Sequence, residues 1–145
     1  MIKIICLGKI KEDYLNKMIE DYQKRISKYH KLEIIELKDT NNLEEEATMI
    51  EKHISNQDYI IALDINGKNY SSEDFAHNIE DIFNHYGTIT FVIGSSYGLA
   101  DRIKTKANMR LSFSNMTFPH GLFRGILLEQ IYRAFKIMNN ETYHK

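Results

Sequence analysis

The segment best suited to binding a small molecule is residues 113–119, which end in the only proline of the chain. Small and polar side chains alternate there with Phe113, Met116 and Phe118. Such a loop can offer backbone N–H and C=O groups to the edge of a planar base, while its apolar side chains cover the face. Proline is tolerated in the first turn of a helix, so Pro119 predicts a helix start, with Thr117 as a candidate cap.

Basic and aromatic residues follow this loop to the end of the chain. Arg124 and Arg133 lie on the predicted last helix, and the chain ends in Tyr143, His144 and Lys145. Residues 1–32 carry a net charge of +4, residues 33–100 of −10 and residues 101–145 of +5. Basic ends around an acidic middle predict a polyanion bound on one face, although a solvated mixed surface is an equal alternative. A disordered tail is the alternative for the last three residues.

A second candidate site is the glycine-containing turn Gly94–Gly98, which follows a buried apolar run. Its spacing is neither that of a dinucleotide fingerprint nor that of a phosphate-binding P-loop, because no G-x-G-x-x-G and no Gly-Lys-Ser/Thr is present. By itself the turn indicates only a need for backbone freedom. A nucleotide-binding enzyme that uses this turn for phosphates stays open as an alternative function.

Alternating strand and helix patterns position these segments. Strands are predicted at 2–7, 32–37, 59–65, 88–93 and 109–113, and helices at 12–29, 43–55, 72–85, shortly after 98, and at 120–138. Asn42 and Ser71 or Ser72 are candidate caps, and Asn66-Gly67 predicts a turn that ends the third strand. The alternation predicts one α/β domain over residues 1–145, a parallel sheet with helices on both faces. Ligands of such sheets bind beyond the carboxyl ends of the strands, where the candidate segments lie.

The predicted last helix is apolar nearly all round, which indicates burial on more than one side. We predict a homodimer that uses this helix; a central helix within the monomer is the alternative. No apolar run is long enough to span a membrane, no signal peptide is recognisable, and no metal-ligating motif occurs. Cys6 is the only cysteine, so no internal disulfide can form. We expect a cytoplasmic protein without a metal site.

Three stretches carry a resemblance to a known family: residues 113–120, residues 128–138 and the terminal Tyr143-His144-Lys145. They closely resemble the RlmH family, the SPOUT-class methyltransferases of the large ribosomal subunit, and the match extends from residues 4–9 through 63–68 to the last residue. The resemblance implies methyl transfer from S-adenosylmethionine to N3 of a pseudouridine in 23S ribosomal RNA. It also implies a C-terminal trefoil knot, which topology rules would not predict. It further implies a homodimer with the site near the subunit interface, and ribosomal RNA or the assembled ribosome as partner.

The resemblance also implies roles for individual residues. The expected cofactor-binding positions are Leu63, Gly94, Phe113, Ser114, Asn115, Met116, Thr117 and Phe118. The expected catalytic residues are His144, as the first choice for a general base, His120 as the second, Tyr143 and Arg133. The expected RNA-binding residues are Arg124, Arg133, Tyr143 and Lys145.

The chain departs from the family pattern at two places. Ser95 stands where a second glycine is usual, and its Cβ would crowd the methionine end of the cofactor if the position required a positive φ. The region of residues 39–43 is shorter than is common, which affects a peripheral loop. Ser95 also leaves room for a second alternative function, a non-catalytic module that associates with ribosomes.

Overall fold

The computed structural model describes all residues from 1 to 145 and contains one parallel sheet of five strands. The strands are β1 (Ile2–Leu7), β2 (Leu32–Leu37), β3 (Tyr59–Asn69), β4 (Ile89–Ile93) and β5 (Met109–Ser112). The helices are α1 (Asp13–Ile26), α2 (Leu43–Glu51), α3 (Ser72–Phe83), α4 (Asp101–Lys106) and α5 (His120–Met138). The strand order is β2-β1-β4-β3-β5, and all pairs are parallel, which confirms the predicted α/β class.

Two apolar cores cover the two faces of the sheet. In β1, Ile4 and Cys6 face a core shared with α1, α3 and α5, whereas Ile5 and Leu7 face a core shared with α2 and α4. This alternation follows from the period of two along a strand. β1 and β4 are buried along almost their whole length, as expected for strands covered on both faces. The prediction of helices on both faces is therefore confirmed.

The third strand is longer than predicted. β3 continues through Asn66-Gly67 to Asn69, with a shift of register against β5 between Leu63 and Lys68, so the predicted turn is wrong. A Cβ on Gly67 would lie 2.7 Å from the backbone carbon and oxygen of Arg110. Glycine is therefore required by the close approach of β5. Leu63 and Lys68 both pair with Leu111, so residues 64–67 are extra residues in β3 that shift its register without ending it.

Side-chain caps fix the starts of two helices. The Asn42 side chain accepts a hydrogen bond from the Glu45 N–H at 3.1 Å, and Ser71 accepts one from the Asp74 N–H at 3.0 Å. Both predicted caps are confirmed. The prediction of Thr117 as the cap of α5 is wrong, because Pro119 itself occupies that position with extended backbone angles and no side-chain cap.

Helix α5 packs between α1 and α3 on one face of the sheet. Its broad apolar surface is therefore largely covered within one subunit. This agrees with the alternative of a central helix within the monomer. The chain reaches α5 from β5, the edge strand, by crossing the carboxyl ends of β3 and β4 to the end of β1. The trefoil knot stays a prediction. None of the helices combines the length and apolar character needed to cross a membrane.

Candidate active site

A cavity of about 380 Å³ lies at the carboxyl ends of β3, β4 and β5. Its size falls within the range of pockets that bind small molecules. The segments that follow the three strands form its walls, with both apolar side chains and backbone groups. Every residue expected to bind the cofactor lines this cavity except Asn115, which lies in the same loop. The structure therefore brings together positions that are up to 55 residues apart in the sequence.

The wall after β4 is a tight turn. The Gly98 N–H donates a hydrogen bond to the Ser95 carbonyl oxygen at 2.8 Å, and the two residues form an isolated antiparallel bridge. A Cβ on Gly94 would lie 2.3 Å from the Gly98 oxygen and 2.5 Å from its carbonyl carbon. No side chain fits there, because both obstacles belong to the backbone. Glycine is therefore required at position 94, because the backbone of Gly98 packs directly against it.

Ser95 adopts ordinary backbone angles, since Asn41 and Asn140 are the only non-glycine residues with positive φ. The crowding that would accompany a positive φ therefore does not arise. The Ser95 hydroxyl donates a hydrogen bond to Glu46 Oε1 on α2 at 3.0 Å. Ser95 is 7% exposed and remains part of the cavity wall.

His120 is the one expected catalytic residue that lines the cavity. Its Nε2 lies 2.8 Å from the Leu7 carbonyl oxygen at the end of β1. A carbonyl oxygen only accepts, so Nε2 carries the proton of this hydrogen bond. In the neutral ring, Nδ1 then holds a free lone pair, which is what a general base requires.

Two charged residues of the cavity wall are not among the positions expected to bind the cofactor. Asp64 follows the apolar part of β3, and its Oδ1 accepts a hydrogen bond from the Asn66 N–H at 3.1 Å. Lys104, from α4, lies with its Nζ 3.8 Å from Asp64 Oδ2. The position of Asp64 directly after a buried apolar run was a usable signal, whereas Lys104 could be found only from the docking of α4 beside β3.

The C-terminal residues form a second cluster, outside the cavity. Glu129 Oε1 accepts hydrogen bonds from Arg133 Nε at 3.0 Å and from the Tyr143 hydroxyl at 3.2 Å. Arg133 Nη1 donates to His144 Nδ1 at 3.1 Å, and His144 Nε2 donates to Glu73 Oε1 at 2.6 Å. The Arg133 guanidinium also lies 4.8 Å from the centre of the Tyr143 ring. We refer to Glu73, Glu129, Arg133, Tyr143 and His144 as the tail cluster.

The contacts within the tail cluster shift the pKa values of three of its members. The hydrogen bond that Arg133 donates to the Glu129 carboxylate raises the pKa of Arg133, and burial raises the pKa of Tyr143. A hydrogen bond from its own backbone N–H lowers the pKa of the Glu73 carboxyl most, and the hydrogen bond from His144 lowers it further. Both ring nitrogens of His144 are engaged, so neither is free to accept a proton in this arrangement. Lys145 follows the cluster and is exposed.

Arg124 lies in the interior, with 2% of its surface exposed. Its Nη1 forms an ion pair with Glu36 Oε2 at 2.5 Å, and its Nη2 donates to the Gly8 carbonyl oxygen at 3.1 Å. These contacts join α5 to the ends of β1 and β2. The placement does not favour the expectation that Arg124 contacts RNA, because the guanidinium does not reach the surface.

A second cavity, of about 300 Å³, adjoins the first. It shares Phe113 and Phe118 with the first cavity. Its wall on the other side contains Ser72 and Gln130, whose side chains are joined by a hydrogen bond of 2.8 Å. Gln130 Nε2 also donates to Glu129 Oε2 at 3.2 Å, so the tail cluster contacts the wall of the second cavity, although none of its own residues lines either cavity.

Comparison of the whole chain with known proteins points to one family. A family model described as predicted SPOUT methyltransferase matches residues 1–144. Proteins named ribosomal RNA large subunit methyltransferase H are 50% identical in Clostridium botulinum strain 657 and 48% identical in Streptococcus uberis, each over 99% of both chains.

Solved structures with much lower identity share the fold. A probable methylase family protein from Haemophilus influenzae aligns with a TM-score of 0.57 at 12% identity, over 99% of this chain and 70% of that one. The SpoU methyltransferase AviRb from Streptomyces viridochromogenes aligns with a TM-score of 0.52 at 10% identity, over 98% and 62%. From the family model and the full-length relatives, we conclude that the chain belongs to the SPOUT methyltransferases and, among them, to the family of ribosomal RNA large subunit methyltransferase H.

Proposed function

We propose that this protein transfers a methyl group from S-adenosylmethionine to N3 of a pseudouridine in 23S ribosomal RNA. The observation that carries the proposal is the cavity at the ends of β3, β4 and β5, where the residues matching the family's cofactor positions converge beside His120. Relatives that are about half identical over the full chain, and are named as large-subunit methyltransferases, support the same substrate class. A cytoplasmic location accompanies a ribosomal substrate.

The cavity fits the cofactor in size and chemistry. Leu63 and Phe113 supply apolar surface, while Gly94 and the 113–118 loop bring backbone groups to the wall, which suits an adenosine. S-adenosylmethionine would supply a methyl group that is already activated by its sulfonium. The protein then has to hold the acceptor nitrogen in line with that group and exclude water.

The acceptor N3–H has to lose its proton before or during methyl transfer. We propose His120 as the group that accepts it, because its Nδ1 is free while Nε2 is held by the Leu7 carbonyl oxygen. His144 was the first choice from the sequence, but within one subunit it is occupied by Arg133 and Glu73. We assign His144, with Tyr143 and Lys145, to binding of the RNA.

A homodimer is part of the proposal. Ile65, Tyr97 and Met116 all line the cavity, and they are 47%, 68% and 77% exposed. Large apolar side chains grouped in this way indicate a surface that is covered in the working protein. A second subunit would cover them and bring its own tail cluster towards the RNA. Light scattering coupled to gel filtration tests this, with a mass of about twice 17.1 kDa expected.

The central experiment measures transfer of a labelled methyl group to ribosomes that lack the modification, followed by mapping of the methylated nucleotide. Label at N3 of a pseudouridine in 23S RNA is expected. Label only on another nucleotide would refute the assignment of the substrate. Absence of label, together with titrations in which ATP binds and S-adenosylmethionine does not, would favour the nucleotide-binding alternative.

Two variants test the residue roles. His120→Gln keeps a donor for the Leu7 oxygen but has no basic nitrogen, so kcat should fall about 10²- to 10⁴-fold while cofactor affinity is retained.

Deletion of residues 143–145 should leave the fold and cofactor binding intact and abolish methylation of RNA. Normal methylation by the shortened protein would contradict the role of the tail.

A further inference from the structure

Glu46 is a buried carboxylate without a cationic partner. Glu46 is 2% exposed, and it belongs to none of the ion pairs in the molecule. Its hydrogen bonds come from the Thr40 N–H to Oε2 and from the Ser95 hydroxyl to Oε1, each at 3.0 Å. A buried charge is costly unless it is paired. This carboxylate has two neutral donors and the partial positive charge of the first turn of α2 beside it, but no cation.

Ser95 connects this carboxylate to the cavity. A hydroxyl has one hydrogen to donate, and Ser95 donates it to Glu46. The remaining lone pairs of Ser95 Oγ can only accept. A ligand group that meets Ser95 at the cavity wall therefore has to be a hydrogen-bond donor, and the charge of Glu46 behind it favours a cation over a neutral donor.

The same pair disfavours anions at this wall. Neither the hydroxyl oxygen, whose hydrogen is committed, nor the carboxylate behind it can stabilise a phosphate or a carboxylate group. Thr40 and Ser95 also fix Glu46 from two sides, so the carboxylate is held in place before any ligand arrives.

On the basis of the proposed function, we propose that the Ser95–Glu46 pair receives the α-ammonium group of the methionine part of S-adenosylmethionine. The ammonium is the cationic hydrogen-bond donor of that ligand. The adenine amino group donates as well, but it is neutral and leaves the charge of Glu46 uncompensated. Ser95 is thus a specificity-determining residue, and Glu46 is a positioning residue that acts through it.

The test compares three ligands by isothermal titration calorimetry, without RNA and without turnover. S-adenosylmethionine carries the ammonium, the carboxylate and the sulfonium. S-adenosylhomocysteine keeps the ammonium and the carboxylate but has a neutral thioether, and 5′-methylthioadenosine has the neutral thioether and neither charged group. Ser95→Ala should weaken the first two ligands at least about tenfold, the loss expected when a hydrogen bond to a charged group is removed. It should change the affinity for 5′-methylthioadenosine less than twofold. Glu46→Gln should show the same selectivity, because it removes the charge.

Glu45→Gln is the matched control, since Glu45 is an exposed carboxylate on the same helix and should leave all three affinities unchanged. An equal loss for all three ligands in Ser95→Ala would mean that the serine only shapes the wall, and would overturn the proposal. Unchanged affinities would overturn it as well. If Glu46→Gln does not fold, the ratios measured with Ser95→Ala decide alone. If the unaltered protein binds none of the three ligands, the proposed function itself fails.

Discussion

Replacing Gly94 by alanine is the sharpest test of how the cavity is built. The added Cβ would lie 2.3 Å from the Gly98 oxygen, 2.5 Å from the Gly98 carbonyl carbon and 3.0 Å from Leu99 Cγ. Ordinary van der Waals contact for such pairs is about 3.5 Å or more. Two of the three obstacles are backbone atoms, so no side-chain rotation can relieve them. The turn has to open by about an ångström at the point where it forms the cavity wall.

The expected magnitude follows from the cost of overpacking. Forcing one methyl group into a tightly packed site typically costs 1–3 kcal/mol, and a backbone obstacle places Gly94→Ala near the upper end, at about 3 kcal/mol. The displaced turn includes Ser95 and Gly98, so the affinity for S-adenosylmethionine should fall by more than about tenfold. Urea denaturation gives the free energy of unfolding, and calorimetry gives the affinity.

Gly87→Ala is the matched control for this substitution. A Cβ at Gly87 would meet no atom within 4 Å, and its φ is not positive. The free energy of unfolding should therefore change by less than about 0.5 kcal/mol, as for most surface substitutions. The reasoning would be refuted if Gly94→Ala unfolded at the same urea concentration as Gly87→Ala and bound the cofactor normally.

Three further predictions concern other parts of the molecule. Ser71→Ala removes the cap of α3 and should lower the free energy of unfolding by about 1 kcal/mol in urea; an unchanged value would mean that water replaces the cap. Arg124→Met should destabilise by about 1–3 kcal/mol, because Glu36 and the Gly8 oxygen lose their donor; normal stability with loss of RNA methylation would instead support contact with RNA. Burial raises the pKa of the Cys6 thiol to about 11, so its contribution to stability is complete below about pH 9 and is lost as the pH rises through 11. Wild type should therefore lose more stability than Cys6→Ala over that range, and equal losses would contradict the raised pKa.

Regular periodicity made the elements predictable. The strands around Ile4 and Phe91 are continuous apolar runs because both faces are covered, and Asn42 and Ser71 mark helix starts through local hydrogen bonds. Such signals lie within a few residues of each other, so the sequence alone was sufficient to recognise them.

Long-range contacts account for what the sequence did not predict. Gly67 looked like a turn residue, but its requirement comes from the backbone of Arg110, which is 43 residues away. Arg124 looked like a surface cation until the ends of β1 and β2 supplied its partners. His144 looked free because neither Glu73 nor Arg133 is its neighbour in the sequence. In each case the strand order or the packing of α5 determines which residue makes the contact. Sequence periodicity predicts neither the strand order nor the packing of α5.

The contacts between α5 and β1 also constrain how the chain acquires its structure. β1 is an interior strand, while α5, which holds Leu7 and Gly8 through His120 and Arg124, follows all five strands in the sequence. Nascent chains in which α5 has not yet been made therefore lack the helix that covers the core between α1 and α3. Contacts between the two ends of the chain carry a large loop-closure entropy, which slows folding. The core between α1 and α3 should therefore be completed only once α5 has left the ribosome, and chains shortened before α5 should be aggregation-prone.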